Sequence, residues 1–246
     1  MIKLAADIGW VDVPFRELVE QSLGLDTYIA NRSKVGALAE FWHGTSKGVK
    51  DLIYVSIGTG VAAGIIHQGR LFIGANSSAG ELGHLTIVPD GPLCPCGNRG
   101  CLQQLVSEQA IANLARQRLR RNPGSLLRGS TGNHPELISA RDVFIAADQG
   151  DAVALETLDE IASYLGIALA GLINLFNPEV IFLGGPVGEA SAVLAEKIKR
   201  NVQERAMSYP MSAVQIQRSS LGTDAGAIGA SVLVLQRANE LFFQKR

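Results

Sequence analysis

Three cysteines, Cys94, Cys96 and Cys101, sit in the octapeptide CPCGNRGC and are the only cysteines of the chain. His84 lies ten residues upstream, in GELGHLTIVPDGPLC. Three thiolates and one imidazole are the donor set of a closed, tetrahedral zinc site, and with four protein ligands such a site keeps no open position for water. Gly97 and Gly100 allow the tight turns that would bring the sulfurs together. A disulfide would leave one thiol over, and Cys94 and Cys96 are too close along the chain to pair comfortably. A catalytic thiol would need a base, and His84 is the one local candidate. A redox pair stays open, although such pairs more often read C-x-x-C. The expectation is a structural Zn2+ held by His84, Cys94, Cys96 and Cys101.

Several elements must position that loop. The run 51–57, DLIYVSI, reads as a strand entering Gly58-Thr59-Gly60. VAAGIIHQG follows as a second strand and RLFIG as a third, a three-stranded meander over 51–74. Upstream, 27–30 reads as a short strand and 33–44 as a helix with Ser33 as cap and Gly44 as stop. Downstream, 105–120 and 139–149 read as helices, with 122–135 a surface loop between them. The run 151–176 is one long helix ended by Asn177-Pro178. Its apolar face is interrupted by Asp159, Glu160 and Asn174, which suits a core helix rather than a membrane span. Then come a buried strand at 179–185, a helix at 189–206, a strand at 213–217 and a small-residue helix at 224–238 opened by Asp224. A meander, helices and then β-α-β-α is an α/β order.

The 246 residues suffice for one large domain or two small ones. With 47% hydrophobic residues the chain can build a sizeable core, and a net charge of −1 gives no broad footprint for nucleic acid. Arg116, Arg118, Arg120 and Arg121 are the local exception. At a helix C-terminus such cations suit the helix dipole and face solvent; a nucleic-acid contact is the other reading. No signal peptide or membrane-length span is evident, and a cytoplasmic protein is expected.

The stretch GELGHLTIVPDGPLCPCGNRGCLQ resembles the signature of the ROK family of repressors, open reading frames and sugar kinases. The resemblance continues in DLIYVSIGTGVAAGIIHQGRLFIGA, NPEVIFLGGP and LGTDAGAIGA, and upstream in IGWVDVPFRELVEQSLGLDTYIAN, so it covers nearly the whole chain. It implies an α/β, actin-like ATPase fold of the ribonuclease H type, with a sugar and ATP in the cleft between two lobes. Residues 1–50 would be a remnant of the first lobe. Residues 51–246 would form the second, complete lobe with its zinc loop at 84–101, and the helix 224–238 is free to pack back on the first.

By the same resemblance, Glu81 and His84 match an E-x-x-H pair that contacts sugar hydroxyls, the histidine being also a zinc ligand. Asn31 and Gln103 would complete the sugar contacts. Gly58, Thr59 and Gly60 match a phosphate loop, and Gly184 and Gly185 a segment facing adenosine. By themselves these glycines read more readily as ordinary corners between elements, and Glu81 as a surface carboxylate.

The chain departs from the family pattern in three ways. Kinase members carry Glu-Asn-Asp ahead of the helix at 33–44, the aspartate being the general base. Here the triplet is Ala30-Asn31-Arg32, and a guanidinium stays protonated at any workable pH. General-base catalysis supplies about 10²–10⁴-fold in rate, so its loss would remove most kinase activity. Gln103 replaces a usual glutamate, which alters hydroxyl recognition without abolishing it. No Asp-x-Gly phosphate loop set in a hydrophobic hairpin is evident: Asp7-Ile8-Gly9 has the tripeptide, but its IGW context matches a later loop of the lobe. The expected function is therefore a non-catalytic, zinc-stabilised sugar-sensing domain of a transcriptional regulator, forming a homodimer or tetramer and reaching DNA only through a module absent from this chain. The second expectation is an ATP- and Mg2+-dependent sugar kinase, and the third a degenerate fragment with a structural role.

Overall fold

Asn31, whose side-chain Oδ1 accepts hydrogen bonds from the Ser33 N–H at 3.0 Å and from Ser33 Oγ at 2.9 Å, opens the first helix that enters the core. The expected cap, Ser33, lies inside that helix: the amide one turn-step earlier satisfies the free N–H groups first. This is seen in a computed structural model that describes residues 1–5, 8–45 and 48–243, with side chains along the final helix described to residue 236. In chain order the elements are β1 (Ile2–Ala5), β2 (Trp10–Val13), α1 (Phe15–Leu23), α2 (Arg32–His43), β3 (Leu52–Ile57), β4 (Val61–His67), β5 (Arg70–Leu71), α3 (Gln103–Val106), α4 (Glu108–Leu119), α5 (Leu127–Ser130), α6 (Ala140–Asp148), α7 (Ala152–Phe176), β6 (Val180–Gly184), α8 (Gly185–Ala190), α9 (Ala192–Gln203), α10 (Ser208–Ala213), β7 (Gln215–Arg218) and α11 (Ala225–Phe243).

The main sheet has the order β5-β4-β3-β6-β7. β3, β4 and β5 form the antiparallel meander, while β6 pairs parallel with β3, and β7 parallel with β6. A strand covered on both faces must be apolar at every position. β3 and β6 meet that demand except at Ser56, which opens on the cavity described below: Ile53, Val55, Ile57, Ile181 and Leu183 face one core with α4, α6, α7 and α9, while Leu52, Tyr54, Val180 and Phe182 face a second core with α2 and α11. This is the expected α/β layering. α7 is long and apolar enough to cross a membrane by length and composition. Here it is the central helix of the first core, with Leu158, Ile161, Leu165 and Leu169 fully buried.

The two helices of the second core touch backbone to backbone. A Cβ on Gly229 of α11 would overlap the Val35 carbonyl of α2, and one on Gly64 of β4 would overlap the Ser33 carbonyl. The last helix thus packs on α2, and α2 packs on the sheet. The segment before residue 50 therefore shares the core of the segment after it.

Other expectations shift at their edges. Residues 27–30 form no strand, for no neighbouring strand reaches them, and the Thr27 N–H donates instead to Glu20 Oε1 at 3.0 Å. The third strand is only Arg70–Leu71. The helix expected at 105–120 divides at Ser107, whose Oγ accepts the Ala110 N–H, and the one at 189–206 divides at Ser191, whose Oγ accepts the Leu194 N–H. An internal serine that finds these N–H groups restarts the helix in a new direction. Residues 122–135 contain the short α5, and a turn of helix, α10, precedes β7. At the N-terminus a hairpin does surround the Asp-Ile-Gly tripeptide: Ile2 pairs with Val13 and Leu4 with Val11. None of its described residues is buried, whereas a hydrophobic hairpin would bury one face, and Asp7 itself lies outside the described residues.

One polar contact crosses the second core. Glu40 of α2 is fully buried. Its Oε1 accepts from Ser219 Oγ at 2.6 Å, the Ser220 N–H at 2.9 Å and the Leu221 N–H at 3.4 Å, and its Oε2 from Ser220 Oγ at 2.9 Å. A carboxylate out of water is tolerable only when its oxygens are filled in this way. Glu40→Ala would strand four donors in the interior. It is expected to cost about 3 kcal/mol in thermal or urea unfolding, against less than about 0.5 kcal/mol for the exposed control Glu156→Ala.

Candidate functional site

A cavity of about 250 Å³ opens where the start of α2, the β3–β4 corner, the 79–84 loop and the start of α3 and α4 converge. Asn31, Glu81, His84 and Gln103 all line it, as do Gly58, Thr59 and Gly60. So does Arg32. The sequence therefore places its sugar-contact and phosphate-loop candidates around one space. Gly184 and Gly185 are not part of its wall; the next residue, Pro186, is. The Gly185 N–H already donates to Glu189 Oε1 at 3.0 Å. A larger hollow, about 620 Å³, lies beside β7 and α9 and gathers none of these residues.

Each wall is held by main-chain bonds. The Gly58 N–H donates to the Gly60 carbonyl at 3.0 Å, closing the corner, and the Glu108 N–H donates to the Gly58 carbonyl at 3.0 Å. The 79–84 loop docks on β4 through the Ala63 N–H and the Gly80 carbonyl, 2.7 Å apart. Gly80 has φ +93, and a Cβ there would strike the Ala63 carbonyl. Buried Lys34 of α2 donates to the Ser77 carbonyl, tying the residues just before that loop to the opposite wall. Gln103 is 4% exposed, and its Oε1 lies against Gly83, where any side chain would crowd it.

Charge around the cavity is mixed. Arg32 has no ion pair or hydrogen bond among the described residues, yet it draws Glu189 toward ionisation. Burial works the other way and lifts the Glu189 carboxyl above its ordinary range, with Gly185 and Arg32 opposing and Glu40 adding to the rise. Burial also pushes the Tyr54 phenol up to about 12, so it remains a protonated donor. Glu81 and Glu108 are the two carboxylates in the cavity wall. Glu108, Ser33, Ser56 and Pro186 were not anticipated. Glu108 directly follows the Ser107 cap, so an acidic residue there reads as dipole compensation, and no local spacing points it at a cavity.

On the far side of His84 the three sulfurs and the imidazole gather. One donor atom from each of His84, Cys94, Cys96 and Cys101 lies within 4.8 Å of all the others. Cys94 Sγ is 3.7 Å from His84 Nδ1, and Cys96 Sγ is 3.7 Å from Cys101 Sγ. Zinc–sulfur bonds of 2.3 Å in a tetrahedron require sulfur separations of about 3.8 Å, so the donor set fits that ion. Metal-free thiols cannot all ionise so close together. Burial pushes Cys101 up to about 12, while the Asn98 backbone N–H holds exposed Cys96 below the usual thiol range. A cation would remove that conflict. The loop is pinched shut as the glycines foretell: Gly97 has φ +91 and Gly100 φ +66, and the Ile87 N–H meets the Gly100 carbonyl at 2.8 Å.

The chain matches the ROK family over residues 1–237. It belongs to that family. It is 38% identical over 238 residues to a glucokinase of Halalkalibacterium halodurans, covering 96% of this chain and 72% of that protein. A ROK glucokinase from Streptomyces griseus, solved with glucose and AMPPNP, superposes with a TM-score of 0.89 at 32% identity, over 94% of this chain and 75% of that one. A xylose repressor of Caldicellulosiruptor bescii is 34% identical over 234 residues, 95% of this chain but 58% of the repressor. The actin-like ATPase fold follows from this membership and from the sheet order. Both branches of the family, kinase and regulator, are among the relatives.

Gly100 bears on the site most directly, because a Cβ at φ +66 would drive into the Val88 carbonyl. Gly100→Ala is expected to lower stability by about 1–3 kcal/mol and to open the 85–101 loop to limited proteolysis. Gly97→Ala has the same backbone strain but open space around it, and it should cost less.

Proposed function

We propose that this chain is a zinc-stabilised, sugar-binding ROK domain that holds an unphosphorylated hexose in the 250 Å³ cavity and does not itself transfer phosphate. The observation that carries the reading is Arg32 in the cavity wall. The residue at that position in kinase members must take a proton from the attacking hydroxyl. A guanidinium is already protonated and has no acceptor. The rest of the wall suits a polyol: Glu81 offers carboxylate acceptors, Gln103 both an acceptor and a donor, and the Asn31 cap fixes its amide so that the Nδ2 donor is the end left over. Zinc on His84, Cys94, Cys96 and Cys101 would hold the imidazole ring and the loop that presents Glu81. Closure around the hexose would then be the signal, passed to a partner module as the similarity to repressors suggests.

The glucokinase relatives favour a second reading, an ATP-dependent hexose kinase, over a purely regulatory one. In that reading a carboxylate other than the usual aspartate serves as base. Glu108 and Glu81 are the two that line the cavity.

Two measurements test these readings. Calorimetric titration with glucose should show one saturable site, weakened at least about tenfold by Glu81→Gln; no binding of any hexose would remove the sugar reading. A coupled assay should find no hexose-dependent ATP turnover in the natural chain, and turnover there would establish the kinase instead. Arg32→Asp is the informative variant, for turnover gained only in it would locate the block at residue 32. Separately, elemental analysis should return about one zinc per chain, and Cys96→Ser should lose most of it. Unchanged metal content in Cys96→Ser would defeat the ligand set.

A further inference from the structure

The arginine run at the end of α4 borders a second cavity that has no part in the sugar site. It has a volume of about 360 Å³ and is walled by Arg116, Leu119, Arg120, Arg128, Pro135 and Glu136. Arg116 is clamped: its NH1 donates to Asn113 Oδ1 at 3.1 Å and its NH2 to the Ile138 carbonyl at 2.6 Å. Its Nε is buried with no partner. Arg128 repeats the pattern from α5, with NH2 donating to the Leu119 carbonyl at 3.3 Å and a buried Nε that has no partner. Arg120 is exposed and makes no ion pair among the described residues. The opposing charge is Glu136 at the rim, already engaged by His134 Nδ1 at 2.9 Å.

Two guanidinium groups, those of Arg116 and Arg128, are held in place in the wall of one cavity, with the exposed Arg120 beside them and Glu136, already engaged by His134, as the single carboxylate of that wall. Planar guanidinium forks match tetrahedral oxyanions in both charge and geometry. We infer that this cavity is a binding site for the phosphoryl group of a small metabolite, free phosphate or a sugar phosphate. The site lies at the far end of the helix whose first residue, Glu108, lines the sugar cavity. Twelve helical residues place the two ends about 18 Å apart on one rigid rod.

The test is titration of the natural chain with inorganic phosphate and, separately, with a hexose 6-phosphate, at constant ionic strength balanced by chloride. The expected result is one saturable site, weakened at least about tenfold in both Arg128→Gln and Arg120→Gln. Arg120 is exposed, so its variant keeps the test alive if Arg128→Gln misfolds. Tighter binding of the hexose phosphate would identify a sugar phosphate as ligand, and equal binding free phosphate; either supports the site. The absence of saturable binding, or binding indifferent to both substitutions, would overturn it. Binding lost in Glu81→Gln but retained in the arginine variants would also overturn it, by moving the phosphate to the sugar cavity.

Discussion

The second core depends on one buried anion. Glu40 sits where α2, the turn after β7 and the start of α11 meet, and four donors from residues 219–221 converge on its two oxygens. Without those donors the carboxylate would not tolerate burial, and without the carboxylate the turn would have four unsatisfied groups facing a hydrophobic layer. The interaction is reciprocal, so it specifies position as well as stability. It fixes the rotation of α2 about its own axis, and Asn31 and Arg32 stand at the first turn of that helix. The wall of the 250 Å³ cavity is in this sense set from the opposite end of α2.

The cavity and the cysteine loop share His84: its Nδ1 lies 3.7 Å from Cys94 Sγ in the four-donor cluster, and the residue is also part of the cavity wall. A residue held in the cluster is thereby held in the wall at little further entropic cost. Arg32 lines the same cavity as the Gly58 corner and Glu81, and a guanidinium there can donate hydrogen bonds but accept none.

Much of this was readable from the chain because the relevant constraints are local. The four candidate donors fall within 84–101 and do come together, and the glycines of that loop announce the turns that later appear at positive φ. β3 and β6 were legible because a strand covered on both faces has to be apolar throughout. The misses have a common physical origin in contacts distant in sequence or in competition between caps. A glutamate within α2 reads as solvent-facing until residues 219–221 arrive to bury it. Ser107 and Ser191 sit in helix-compatible runs, and only the direction of the next helix shows that each has restarted it. Residues 27–30 had strand composition but no neighbour to pair with. Glu108 carries no signal until the corner at Gly58 folds against its backbone.

The meeting of α2 with the end of the chain also orders events in time. Glu40 and Ser219 are 179 positions apart, and the Gly229 backbone must settle on Val35 beyond that. During synthesis from the N-terminus, α2 and the face of β3 it packs on emerge well before residues 219–229, and the outer side of α2 has no cover until those residues have left the ribosome. The second core is therefore the last to close, and its apolar face is the one a nascent chain must keep from wrong partners.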